Sequence, residues 1–184
     1  MQHTYTALYH GIKIRPLTKK DIENLRIWRN DIEQTKFLRP IGKISSEMQE
    51  KWFKDYLMDK NQIIFAIEET HDLHRLVGSL ALYDFNETEA EIGKIQIGDK
   101  EAHGRGIGRK SLAMACKIGF EHLKLTQIIA FVHQHNIASH SNFDRLGFEK
   151  IGIQDSVVGG IEDKVSINYY TFKNVNSYVN DIII

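Results

Sequence analysis

The order of apolar and polar positions predicts a strand and two helices in the first third of the chain. Residues 11–17 alternate between apolar and polar side chains, which is typical of a strand with one buried face. Residues 18–21 have the sequence of a capping box, and apolar residues at helical spacing follow them. A second capping signal at 46–49 opens a helix that keeps its aromatic residues on one face and ends near 59–61.

The middle of the chain is rich in residues that favour strands. The polar turns between these segments are short, so neighbouring strands are expected to pair as antiparallel hairpins. The three strands predicted here are residues 62–68, 76–83 and 89–97.

Helix and strand alternate from residue 105 onward. The apolar spacing becomes helical there, and residues 127–132 form the next strand. Asn136 is a good N-cap for a helix that ends at Leu146, and Gly147 suits the position directly after that helix. The last two predicted strands are residues 148–153 and 165–172.

These elements predict an α/β (α+β) fold. It consists of one mixed, mostly antiparallel sheet of six to seven strands with about four helices on its two faces. A length of 184 residues fits one domain, so residues 1–184 are expected to form a single unit.

Composition narrows the classes of function. Apolar residues make up 42% of the chain, and 24 basic residues balance 24 acidic ones. Balanced charge gives no long-range attraction to nucleic acid or to an anionic membrane, so neither partner is expected. The single cysteine excludes an internal disulfide, and no apolar run approaches the about 20 residues of a membrane-spanning helix. With no signal-peptide pattern at the N-terminus, a cytoplasmic location is expected.

The most informative segment is a glycine-rich turn between the strand at 89–97 and the helix that follows. Residues 104–108 carry three glycines, which let the backbone approach a phosphate, and the first N–H groups of a helix attract an anion. A Walker A loop is excluded because Arg109 separates Gly108 from Lys110. A dinucleotide-binding fingerprint fits poorly because about four strands precede the turn.

Two signatures in this region resemble those of the GNAT superfamily of N-acetyltransferases. Residues 103–108 resemble its pyrophosphate loop, Q/R-x-x-G-x-G/A, with His103 in place of the usual Gln or Arg. Residues 136–148 resemble its second signature, N-x-x-S followed by Y-E-K-x-G-F, with Phe143 in place of the tyrosine. Three further segments look like the branch with ribosomal-protein N-terminal and nucleotide-amino-sugar acetyltransferases: residues 25–30, 52–53 and 97–100.

This resemblance implies a fold, a donor and a reaction. Acetyl-CoA is the expected co-substrate, bound by a core at about residues 89–150 where the fourth and fifth predicted strands splay apart. The expected reaction is direct transfer of acetyl to a primary amine, on a protein N-terminus, an amino sugar or a small molecule. The alternative is a non-catalytic acyl-CoA-binding sensor of the same fold. A homodimer is one arrangement that the resemblance allows.

The resemblance also implies which residues contact acetyl-CoA. Phe143 stands where many relatives carry the tyrosine that is thought to protonate the leaving CoA thiolate, so the general acid stays open. The predicted cofactor-binding residues are Gln96, Ile97, Gly98, His103, Gly104, Arg105, Gly106, Ile107, Gly108, Arg109, Asn136, Phe143 and Arg145.

Four residues are candidates for proton transfer. An amine acceptor with a pKa of about 10 is mostly protonated at neutral pH, so a base must lie near it. Glu91, at the start of the strand that carries the cofactor, is the first candidate for this base, and Asp84 is a weaker one. An unperturbed imidazole titrates near neutral pH, so His133 is a candidate base or acid. Ser139 could protonate the thiolate, although each of these side chains is equally consistent with a solvated surface group.

The first helix supplies the candidates for acceptor binding. Trp28, Arg29 and Asn30 are predicted to line the acceptor cleft, as the first helices do in relatives, although Trp28 also suits the core. The polar side chains of Arg29 and Asn30 suggest an anionic or peptide acceptor. No metal site is predicted, because the histidines near 133–140 have no acidic or thiol partner at ligand spacing.

Overall fold

A computed structural model describes the backbone of residues 2–38, 41–157, 164–173 and 181–184. It also describes the side chains of these residues, apart from 154–157, 164–170 and 173. A 3₁₀ turn, Lys100–Ala102, precedes the longest helix. The elements are β1 (Ala7–Tyr9), β2 (Ile12–Pro16), α1 (Ile22–Asn30), α2 (Ile32–Thr35), α3 (Ser46–Met58), β3 (Gln62–Glu69), β4 (Arg75–Tyr83), β5 (Glu89–Ile97), α4 (Ile107–Glu121), β6 (Gln127–His133), α5 (Ile137–Leu146), β7 (Glu149–Val157) and β8 (Lys164–Lys173).

The described strands form one mixed sheet of eight strands in the order β1-β2-β3-β4-β5-β6-β8-β7. The pairs are antiparallel except for β5 with β6, which is parallel. That pair is hydrogen-bonded only from Glu89–Gln127 to Glu91–Ile129. Beyond these residues the two strands separate. The mixed sheet and the splayed fourth and fifth predicted strands are therefore confirmed, with β5 and β6 as the splayed pair.

Strand β1 was not anticipated from the sequence. It spans only three residues, too few for an alternating pattern to show, and it pairs with β2 across a turn at His10 and Gly11. Its outer edge is covered by the end of the same chain, because the Leu8 N–H donates to the Ile183 carbonyl at 2.8 Å. The sheet is thus one strand wider than the six to seven predicted.

Helix α1 begins at Ile22, three residues after the position that the capping box implies. The Asp21 carboxylate accepts hydrogen bonds from the Thr18 N–H at 2.8 Å and from two Arg15 nitrogens at 2.7 and 2.8 Å. Burial opposes ionisation of Asp21, but these hydrogen bonds outweigh it and lower the pKa of this carboxyl. The bond from the Thr18 N–H to Asp21 that the capping box predicts is therefore present, and Arg15 from β2 shares the same carboxylate, while the regular helix begins only at Ile22.

The helices cover the two faces of the sheet. Helix α4 packs on one face, where its buried residues include Ile107, Leu112 and Cys116, as the apolar spacing predicted. Helices α1 and α3 cover the other face with a smaller cluster that includes Phe53 and Tyr56. None of the helices in the described part of the chain is long and apolar enough to cross a membrane.

Candidate functional site

The glycine-rich turn forms an open cradle before α4. Gly104 and Gly106 have φ angles of 75° and 70°, which favour glycine because a Cβ would strain the backbone there. A Cβ built on either residue would meet no described atom within 4 Å, so the turn faces open space. By contrast, a Cβ on Gly108 would lie 3.2 Å from the Asn142 amide nitrogen, so this glycine serves the packing of α5 on α4.

The first turn of α4 presents hydrogen-bond donors to this cradle. The Lys110 N–H donates to the Gly106 carbonyl at 3.2 Å, so the N–H groups of Ile107, Gly108 and Arg109 precede the helical hydrogen bonds. Together with the positive end of the helix dipole, they suit an anion such as a pyrophosphate. Arg105 adds a cation, which in this structure is paired with Asp72 at 3.0 Å.

The end of β5 meets the end of α1. The Gln96 side chain donates to the Trp28 carbonyl at 2.9 Å, so its amide supports α1 rather than extending into the cleft. The Trp28 ring lies against Gly98, where an added Cβ would be 1.9 Å from Cδ2. The His103 imidazole is hydrogen-bonded to the Ile97 carbonyl at 2.7 Å. These contacts fix the backbone of residues 96–98 beside the splay.

Glu91 lies at the point where β5 and β6 separate, because it is the last residue of β5 in the parallel pair. Its carboxylate accepts a hydrogen bond from the Tyr83 hydroxyl of the neighbouring strand. Burial raises the pKa of Glu91, and the Tyr83 hydrogen bond and the Lys94 charge offset this only in part. A half-buried carboxylate with a raised pKa is a stronger base than an ordinary glutamate, which suits it to proton transfer.

The predicted residues on α5 have mixed environments. Asn136 caps the helix as expected, since its Oδ1 accepts the Ser139 N–H at 3.1 Å. Ser139 is half-buried, and Arg145 is exposed on the last turn. Phe143 is 2% exposed and packs edge-to-face on Phe148, with ring centroids 4.9 Å apart. Its ring therefore belongs to the core here, and its contact with the cofactor remains a prediction.

The histidines at and after the end of β6 lie close together. The His133 and His135 rings are 5.6 Å apart, and His140 is hydrogen-bonded to the Gln134 carbonyl at 3.2 Å. Burial and the two neighbouring imidazoles lower the pKa of His133, which favours its neutral form. Within the described residues, no group of three or more His, Cys, Asp or Glu side chains could hold a metal ion.

The α1–α2 segment spans the opening between the splayed strands. Trp28 anchors one end on β5, and Phe37, just after α2, contacts His133 at the end of β6 with ring centroids 5.1 Å apart. Arg29 is half-buried, and this burial lowers the pKa of its guanidinium. The Asn30 amide is engaged with the Ile44 backbone at 2.8 and 2.9 Å, so it holds the loop after α2.

Two residues of this site were not among the sequence candidates. Tyr83 lies on β4, where the sheet register places it opposite Glu91, and Lys94 lies three residues beyond Glu91 on β5, at an irregularity of the β4–β5 pairing. The Lys94 ammonium lies 4.0 Å from the centroid of the Tyr83 ring. Alternation along β4 and β5 could have shown that Tyr83 and Glu91 point away from the α4 face, but not that they are partners.

Comparison with known proteins identifies the class that this fold and site define. A model of the family described as "Acetyltransferase (GNAT) domain" matches residues 12–149. The chain therefore belongs to the GNAT acetyltransferase family. It is an N-acetyltransferase, and acetyl-CoA is the donor that this family uses. The narrower resemblance to the ribosomal-protein and amino-sugar branch remains a prediction.

Relatives and solved structures agree with this class. An "N-acetyltransferase 9-like protein" of Nematostella vectensis is 26% identical over 171 residues, 85% of this chain and 83% of its own. A "Probable N-acetyltransferase YjcK" of Bacillus subtilis is 29% identical over 150 residues, 77% of this chain and 82% of its own.

The fold is shared with solved structures, among them an acetyltransferase. A spermidine N-acetyltransferase from Vibrio cholerae, solved with CoA and spermine, superposes with a TM-score of 0.79 at 19% identity, covering 89% of this chain and 95% of that one. A domain from Methanocaldococcus jannaschii superposes with a TM-score of 0.71 at 26% identity, covering 89% of this chain and 98% of that one.

Proposed function

We propose that this chain, acting as one domain, transfers acetyl from acetyl-CoA directly to a primary amine, with Glu91 as the general base. The observation that carries the proposal is the position of Glu91, half-buried at the point where β5 and β6 separate and held by the Tyr83 hydroxyl. Its raised pKa keeps it a competent base near neutral pH.

The cradle before α4 fits the diphosphate of the donor. The space above Gly104 and Gly106 is open, and the first N–H groups of α4 are directed at it. The backbone of residues 96–98 would run beside the pantetheine arm, and Asn136 and Arg145 would lie toward the other side of the splay. The bound thioester supplies an acetyl group that is already activated toward amines.

The chain's own residues then supply position and proton transfer. Glu91 takes a proton from the acceptor ammonium, and the Tyr83 hydroxyl holds the carboxylate in place. Backbone N–H groups where β5 leaves β6 stabilise developing negative charge on oxygen. With Phe143 unable to donate a proton, Ser139 and His133 are the remaining candidates for the general acid.

For the acceptor, we propose a primary amine that carries an anionic group close by, such as a peptide or a nucleotide-linked amino sugar. The α1–α2 segment that crosses the splay carries the half-buried cation of Arg29, and the Lys94 ammonium lies next to Tyr83. The Arg29 cation disfavours a polycation along the α1–α2 segment, whereas the carboxylates of Asp84, Glu91 and Asp59 partly balance the Lys94 charge. The Vibrio cholerae enzyme acts on spermidine, but its 19% identity links it to this chain through the fold alone.

The test measures free-thiol release from acetyl-CoA with a panel of N-terminal peptides, amino sugars, nucleotide-linked amino sugars and polyamines. We expect Glu91→Gln to lower kcat by about 10²–10⁴-fold while the acetyl-CoA affinity stays unchanged. The rate of the wild type should fall as the pH drops through the pKa of Glu91, which lies above 4.5.

A second variant tests the cradle separately. Gly106→Val should abolish the thermal stabilisation by acetyl-CoA, because a branched side chain at φ 70° both strains the turn and fills the open space.

A full kcat in Glu91→Gln would refute the base assignment. Stoichiometric binding of acetyl-CoA with no thiol release across the panel would instead favour the sensor.

A further inference from the structure

Strand β5 has an irregularity directly after the proposed base. Ala81 pairs with Gly93 and Ser79 pairs with Gln96, so one residue of β4 faces two residues of β5. This is a β-bulge, and Lys94 within it has a φ of 50°, a left-handed conformation that is costly for a residue with a side chain. Bulges and strained residues are frequent next to active sites because they redirect a side chain.

The bulge directs the Lys94 amine onto the partner of Glu91. Its Nζ lies 4.0 Å from the centroid of the Tyr83 ring and donates to the Gln62 side-chain oxygen at 3.0 Å. The hydroxyl of the same ring donates to the Glu91 carboxylate. One aromatic ring therefore contacts both a primary amine and the proposed base.

The groups around the Lys94 amine act in opposite directions on its neutral, nucleophilic form. Lys94 is exposed as a residue, whereas its ammonium is packed against the ring, and this desolvation lowers the pKa of Lys94. The carboxylates of Asp84, Glu91 and Asp59 act in the opposite direction without restoring the ordinary value. A lysine whose ammonium is desolvated is a better nucleophile, because its neutral form is more populated.

We propose that Lys94 is a built-in acetyl acceptor, which the enzyme modifies in its own active site when no substrate amine is present. This inference rests on the proposed role of Glu91. The amine that contacts the Tyr83 ring occupies the neighbourhood that an incoming amine must enter to reach the same base. Acetylation would remove a positive charge from the acceptor side of the site.

The reaction balances without any further reagent. Lys94 first loses one proton from its ammonium to the Glu91 carboxylate. The neutral Nζ attacks the thioester carbonyl carbon, a C–N bond forms, and the C–S bond breaks. The second proton that the nitrogen loses goes to the CoA thiolate, and Glu91 returns its proton to water. The products are N-acetyl-Lys94 and CoA.

The experiment incubates the full chain with acetyl-CoA and no amine, and maps acetylated lysines by peptide mass spectrometry over time. Lys51, an exposed lysine on α3 with 77% side-chain exposure, reports background chemical acetylation in the same sample. We expect Lys94 to be modified faster than Lys51, at a rate per molecule that does not change on dilution. Glu91→Gln should slow Lys94 acetylation by about 100-fold and leave Lys51 unchanged.

Further measurements distinguish a failure of this inference from a failure of the proposed function. A small amine-selective acylating reagent, used without acetyl-CoA, should label Lys94 faster than Lys51 if the geometry alone makes it reactive. Equal acetylation of Lys94 and Lys51, or a rate that rises with protein concentration, would overturn the inference. If amines are acetylated while Lys94 stays unmodified, the inference fails and the proposed function stands. If neither is acetylated although acetyl-CoA binds, the proposed function fails.

Discussion

The contact between Trp28 and Gly98 gives the sharpest prediction for the site. A methyl group at Gly98 would lie 1.9 Å from Cδ2, 2.1 Å from Cγ and 2.5 Å from Cε3 of the indole. Carbon atoms normally stay at least about 3.5 Å apart, so the ring would have to withdraw by roughly 1.5 Å. That movement would also stretch the 2.9 Å hydrogen bond from Gln96 to the Trp28 carbonyl.

The magnitude follows from these two effects. Overpacking costs about 1–3 kcal/mol and a lost hydrogen bond about 1 kcal/mol, so Gly98→Ala should lower the free energy of unfolding by about 2–4 kcal/mol. For a chain of this length, that corresponds to a fall in Tm of roughly 4–16 °C. In a Trp28→Ala background the methyl group has space, so the same change should cost less than about 0.5 kcal/mol.

Urea unfolding of the four proteins in this double-mutant cycle measures the coupling. Gly152→Ala serves as the matched control, because a Cβ at Gly152 meets no described atom within 4 Å, and it should change stability by less than about 0.5 kcal/mol in both backgrounds. An equal cost of Gly98→Ala with and without the indole would refute the packing of α1 on the end of β5.

Two further predictions concern buried groups. The Glu69 carboxylate accepts N–H groups from His71, Asp72 and Leu73 at 2.5–2.9 Å, and these outweigh burial and lower the pKa of Glu69 to about 2. Its contribution is therefore complete above about pH 4.5 and is lost as the pH falls toward 2. Glu69→Gln should cost about 1–3 kcal/mol in urea unfolding at pH 7 and much less near pH 2, and an equal cost at both would contradict this. Cys116 is 3% exposed, and burial raises the pKa of its thiol, so an aromatic disulfide reagent should react with it only in urea. Rapid reaction of the native chain would show that α4 is not packed as described.

The elements that the sequence predicted well are those with a local physical cause. Helix α4 follows from apolar residues at helical spacing, and α5 follows from the Asn136 cap and from Gly147, whose φ of 84° ends the helix. The anion cradle follows from glycines placed between a strand and a helix. Each of these causes acts within a few residues, so the order of residues alone is enough to reveal it.

Contacts between distant segments decided the rest. Arg15 pairs with the Asp21 carboxylate from β2, and the Ile44 carbonyl accepts a hydrogen bond from the Asn30 amide that was expected to face the acceptor. Strand β8 lies between β6 and β7, an order that alternation cannot specify. Tyr83 meets Glu91 only through the register of β4 on β5.

The functional site likewise has features that follow from the sequence and features that follow only from the tertiary structure. The sequence by itself determined the family, and it named the proposed donor loop and the candidate base, because these depend on residue types at fixed spacing. Only the tertiary structure decided that Glu91 is half-buried with a raised pKa, hydrogen-bonded to Tyr83 and close to the Lys94 amine. Burial and pairing across strands depend on how distant strands assemble into the sheet, so no local sequence pattern predicts them.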